Sequence, residues 1–78
     1  MMKTIQELDM VVLQRALPEY SLQAGDIGAV VHCYGDGQGL EVEFVTGSGE
    51  TVAVATLERR DVRLMKEGEI MHVRELAA

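Results

Sequence analysis

Cysteine is nearly absent from the 78-residue chain: Cys33 stands alone, which excludes an internal disulfide and fits a reducing cytosol. Cations are also short, seven Lys and Arg against thirteen Asp and Glu, for a net charge of −6. That balance argues against binding a phosphate backbone, whose affinity comes from clustered Lys and Arg. No apolar run approaches the roughly 20 residues of a membrane span, and the start, MMKTIQELD, lacks the apolar block of a secretory leader. A cytoplasmic, non-membrane protein is therefore expected. No internal repeat, low-complexity segment or convincing long helix is visible. Aromatics are scarce, Phe44, Tyr20 and Tyr34, and Pro18 is the single proline. What remains is one domain, 47% hydrophobic, which argues against disorder. A chain this size buries only about 60% of its unfolded surface, so a core fits but a deep active site beside it does not.

Glycine divides the chain. Gly25, the GDGQG cluster from Gly35 to Gly39 and the GSG pair from Gly47 to Gly49 separate runs rich in Val, Ile, Thr, Tyr and Phe, which suit a pleated surface. The strands read as Asp9–Arg15, Asp26–Tyr34, Leu40–Thr46, Glu50–Leu57 and Asp61–Met65. The clearest is LEVEFVT, where Leu40, Val42 and Phe44 face one way and Glu41 and Glu43 the other. GDGQG and TGSGE are short enough to make the middle three strands an antiparallel meander. In DIGAVVHCY, Gly28 marks a bulge or a close backbone approach, either of which shifts the inward set midway. Pro18 keeps ALPEYSLQAG out of a central strand, so a longer loop joins the first two strands, with Leu17, Tyr20 and Leu22 folding over an open end. The expected core is Val11, Leu13, Ile27, Val30 or Val31, Leu40, Val42, Phe44, Val52, Val54, Leu57 and Val62. Residues 1–8 form a lead-in and 9–65 the folded unit. The tail, 66–78, fits an extra strand or a short helix equally.

A short strand, a long loop, GDIGAVV, a glycine turn, an EVEF strand and a last short strand together resemble a five-stranded, all-β SH3-like barrel. The ordered pieces ELDMVVL, LPEYSLQAGDIGAVVHCY, LEVEFV, GETVAVATL and DVR are similar to a bacterial family, domain of unknown function 4926, over about residues 7–64. The resemblance implies the fold and brings no activity and no catalytic residues; the tail lies outside it.

Chemistry is thin. His32 and Cys33 are strand neighbours and point to opposite faces, so they cannot act as a nucleophile–base pair. With His72 they also lack the close spacing of zinc ligands. The solvated strand face holding Glu41 and Glu43 offers no pocket to push two carboxyl pKa values apart. The glycine turns lack the helix and the Lys and Ser/Thr of a phosphate loop. Asp26 after Gly25 closes a turn through backbone amides. No catalytic residue, metal or cofactor is expected, and the chain reads as a non-enzyme.

Charge is uneven. Residues 1–57 carry two cations and eight acids, whereas residues 58–78 carry five of each. The acidic field over strands two to four suits a basic protein partner. SH3-like barrels often bind peptides through aromatics beside the first loop, which here implies Leu17, Pro18, Tyr20 and Tyr34. The expected function is therefore a small protein-binding module, of antitoxin or immunity type or an accessory subunit, with Leu17, Pro18, Tyr20, Tyr34, Glu41 and Glu43 as its partner surface. Two alternatives stand beside it. A KOW-like nucleic-acid domain would use Arg59, Arg60 and Arg63, although Glu58, Asp61, Glu67 and Glu69 interleave with them. A structural subunit of an enzyme complex, like those accompanying nitrile hydratase, would carry no catalytic group. Homo-oligomerisation through a strand edge is also open.

Overall fold

The computed structural model describes residues 4–76 and is all-β. Its strands are β1 (Met10–Leu13), β2 (Ile27–Cys33), β3 (Gly39–Val45), β4 (Thr51–Glu58) and β5 (Val62–Leu64), with 3-10 turns at Pro18–Tyr20 and Arg59–Asp61. All five expected strands are present, their ends shifted by a residue or two. They form one antiparallel sheet in the order β4-β3-β2-β1-β5. The middle three make the expected meander.

Among the described residues the five strands form a single open sheet, where the sequence implied a closed barrel. All three residues of β5 pair with β1, and β4 keeps an unpaired edge. Nor can the sheet be flat. Five strands laid flat would put its outer strands about 19 Å apart, at roughly 4.8 Å per neighbour. The Arg59–Asp61 turn that joins β4 to β5 covers only about 8 Å at a 3-10 rise. The sheet therefore curls, and its concave side collects Val11, Leu13, Leu17, Leu22, Val30, Leu40, Val42, Phe44, Ala55, Leu57 and Val62 with Ile5 of the lead-in. Each large member contributes roughly 1.5–3 kcal/mol by leaving water.

β4 corrects the core list. Val54 is 47% exposed, while Ala53 and Ala55 face inward with Leu57. Register explains the exchange, because Phe44 pairs with Ala53 and Val42 with Ala55, so a bulky residue on β3 meets a methyl on β4. Val52 and Ile27 are half-buried. β2 resolves the choice at 30 and 31. Val30 is buried, Val31 is exposed, and a bulge between Val30 and His32 turns Cys33 back towards the core. Gly28 is a separate device, a close approach of β2 to β3: a Cβ built there lies 2.6 Å from Val42 Cγ1 and 3.0 Å from the Glu43 carbonyl.

In the β1–β2 loop, the Leu17 amide donates to the Leu22 carbonyl (2.9 Å) and the Leu22 amide donates back (3.1 Å). Both leucines enter the core, although neither is among the expected core residues, and Tyr20 stays outside.

The tail is neither strand nor helix over its described residues, 66–76. Its carboxylate at Glu69 receives both Arg63 Nη atoms, at 2.8 and 2.7 Å. Further on, Arg74 Nε and Nη2 donate to the two oxygens of Asp26 at 2.8 and 2.5 Å, and Nη2 also donates to the Ser21 carbonyl. Between these clamps, Ile70 is 93% and Val73 90% exposed, and no backbone amide from 70 to 76 donates to another backbone group among the described residues. Aliphatic spacing suited to a helix has no apolar surface to lie on, so the charged residues decide the path. Arg74→Ala is expected to free residues 70–76 while leaving the sheet intact. Heteronuclear NOEs of those amides should fall towards zero with β1–β5 unchanged; rigid amides in the variant would refute the clamp.

Candidate functional site

The outer face of β2–β4 brings together His32, Tyr34, Glu41 and Glu43. On β3, Glu41 pairs with His32 of β2 and Thr56 of β4, and Glu43 pairs with Ala29 and Val54. The Glu41 carboxylate accepts hydrogen bonds from Tyr34 Oη (3.0 Å) and from Thr56 Oγ1. Glu43 accepts one from Thr51 Oγ1 at 2.7 Å. The bond to Glu41 holds the Tyr34 phenol above its ordinary pKa, because the ionised phenolate would lose it and face a carboxylate. His32 sits edge-on to Tyr34, with ring centres 4.9 Å apart and planes at 86°, and its Nδ1 lies 3.6 Å from Glu7. The carboxylates are thus held by hydroxyl donors rather than swinging freely. Exposed Val31, Val45 and Val54 add apolar area to the same three strands.

The expected partner residues divide into three groups. Tyr34, Glu41 and Glu43 come together on this face. Pro18 and Tyr20 lie exposed on the first 3-10 turn, and Tyr34 takes His32 rather than Tyr20 as its ring partner. Leu17 is only 1% exposed and belongs to the core, because its bridge to Leu22 turns it inward.

The arginines of the alternative surface do converge. Arg59, Arg60 and Arg63 line one open cleft of about 550 Å³ between β5, the second 3-10 turn and Ile5. Two of them are already paired, Arg60 Nε with Glu58 at 2.5 Å and Arg63 with Glu69. Contact with Arg63, and then with the Lys66 amide, draws the Glu69 carboxyl down to about 2.

Sequence reasoning missed the most protected carboxylate. Asp61 is 8% exposed; its Oδ1 accepts from Arg15 Nε (2.8 Å) and its Oδ2 from the Glu58 amide (2.9 Å), closing the second 3-10 turn with a capping box. Glu58 with Asp61 three residues on was the available local signal; the Arg15 contact spans 46 positions and had none. Asp26 accepts the Gln23 amide as expected (2.8 Å), and in addition holds Arg74. No cluster of three or more His, Cys, Asp or Glu suited to a metal ion occurs among the described residues. No helix of the described residues is long and apolar enough to cross a membrane.

No curated protein and no solved structure matches the chain. One family model does, described as a domain of unknown function, and it spans residues 7–64, from the lead-in to the end of β5. That stretch covers every strand and both 3-10 turns, leaving residues 1–6 and the tail from Met65 outside, so the chain belongs to the domain of unknown function 4926 family.

Proposed function

We propose that this protein is a small, non-enzymatic, cytoplasmic binding module that docks a basic protein partner on the outer face of β2–β4. One observation carries the reading: Glu41 and Glu43 are fixed by Tyr34, Thr56 and Thr51 hydroxyls beside exposed valines. Preset carboxylates lose less side-chain freedom on binding than free ones, and the valines supply apolar area for a contact centre. A net charge of −6 would steer a cationic partner towards it. An antitoxin or immunity-type inhibitor of a basic protein, or an accessory subunit, has this chemistry. The same reading takes the curled sheet as an SH3-like barrel left open between β4 and β5. Its support is the strand order, the long first loop and the 3-10 turn ahead of the last strand.

Charge reversal tests the docking face. With a partner captured from the native host, Glu41→Lys combined with Glu43→Lys is expected to weaken binding by about 100-fold, since two like-charge contacts replace two attractive ones. Retained affinity in a variant of unchanged circular dichroism would remove β2–β4 as the docking face.

A further inference from the structure

The arginine cleft shares no lining residue with Tyr34, Glu41 or Glu43, and its construction suggests a different ligand. Val62, Leu64 and Ile5 contribute apolar lining, while Arg59, Arg60 and Arg63 supply guanidinium groups. Its frame is braced: the Arg59 amide donates to the Gln38 carbonyl (2.8 Å), and Gln14 Nε2 donates to the Val62 carbonyl (3.1 Å). Asp61 fixes the turn that carries the first two arginines. Arg59 is the one arginine with no ion pair among the described residues, whereas Arg63 already grips a carboxylate in two-point fashion, that of Glu69 from the tail. Arg63 is therefore already shown to hold a carboxylate at two points.

We propose that the cleft binds an acidic peptide segment, one carboxylate taken by Arg59 and Arg63 and a neighbouring aliphatic side chain laid over half-buried Leu64. Glu69 is then an internal competitor, and the tail must yield Arg63 for the full contact to form. Nucleic acid fits less well. No aromatic ring lines the cleft for bases to stack on. Carboxylates also partly neutralise two of the three arginines, and a polyphosphate suffers more from the overall negative charge than a short peptide does.

Fluorescence anisotropy on the full chain tests this with three labelled probes: a peptide alternating glutamate and leucine, its glutamine-for-glutamate counterpart, and a single-stranded oligouridylate of matched length. Saturable binding of the acidic peptide alone is expected. Arg59→Glu should weaken it about tenfold by reversing a guanidinium contact. Glu69→Gln should tighten it about threefold, the scale of an exposed ion pair that no longer competes. A cleft with a purely structural role would show no such gain. Glu41→Lys with Glu43→Lys should leave peptide binding intact, so failure of the acidic-face proposal and failure of this one are separable. Equal binding of the glutamine peptide, tighter binding of the oligouridylate, no saturable binding, or indifference to Arg59→Glu or Glu69→Gln would each overturn the assignment.

Discussion

Gly28→Val is expected to cost more than about 3 kcal/mol, a large share of the roughly 4–12 kcal/mol available to a chain of this length. General strand preference points the other way, since valine suits a strand and glycine weakens one. Local space decides against it. A Cβ at position 28 meets Val42 Cγ1 at 2.6 Å, Phe44 Cε1 at 2.8 Å and the Glu43 carbonyl oxygen at 3.0 Å. None of the three is the loose end of a flexible chain: one belongs to a stiff β-branched residue, one to a core ring and one to the backbone of β3. Relief therefore means prising β2 from β3 beside buried Val42 and Phe44. Gly28→Ala, with one methyl, should cost about 2 kcal/mol by the same overpacking. Urea denaturation read by circular dichroism measures both. A Gly28→Val midpoint equal to that of the parent would refute this account of β2–β3 packing.

Asp61→Ala ranks next, at about 2–3 kcal/mol, because a well-buried carboxylate leaves two donors behind. The Glu58 amide and Arg15 both lose their acceptor, and the turn that redirects the chain from β4 into β5 loses its cap. Asp61→Asn keeps a side-chain acceptor and should lose about half as much. Titration gives a second, independent check. The Arg15 hydrogen bond foremost, and then the Glu58 amide, hold the Asp61 carboxyl below its ordinary value of 3.8. A folded-state pKa below the unfolded one contributes stability that is present above about pH 3.8 and is lost as pH falls through the lower folded value. The stability gap between the parent and Asp61→Ala should accordingly be wide at neutral pH and narrow in acid. A gap that stays constant down to low pH would mean that the ionised carboxylate is not what holds the turn.

Strand placement was legible wherever side chains alternate on a rigid scheme. Leu40, Val42 and Phe44 against Glu41 and Glu43 fixed β3, and the glycine turns on either side fixed the antiparallel meander. Legibility failed where the inward face depends on the partner strand. Val54 is a better core residue than Ala55 by hydrophobicity, yet Val42 and Phe44 across the register leave room only for alanines. Sheet closure was equally invisible, since it depends on whether the outer strands pair rather than on any residue pattern. At the candidate site, Glu41 and Glu43 were readable from parity, Tyr34 only through the barrel resemblance, and the arginines as a cluster in the sequence. The long-range pairs Arg15–Asp61 and Arg74–Asp26 were not, because ion pairing between distant segments leaves no periodic trace. Arg74 and Glu69 together explain why the aliphatic spacing of the tail misled: two charged anchors set its course and left Ile70 and Val73 in water.

Adding β5 beside β1 gives the molecule a timetable for assembly. β2, β3 and β4 are joined by hairpins and need only neighbouring residues, so that three-stranded unit can form while the rest of the protein is still being synthesised. One side of β1 stays bare until Leu64 has emerged from the ribosome, because Leu64 follows its partner Val11 by 53 positions. That pairing closes the largest loop between paired strands, the kind of non-local contact that lowers folding rates across small proteins. Until that late strand arrives, Val11 and Leu13 are kept from the solvent on one flank only, and that interval is when the nascent protein is most exposed to aggregation.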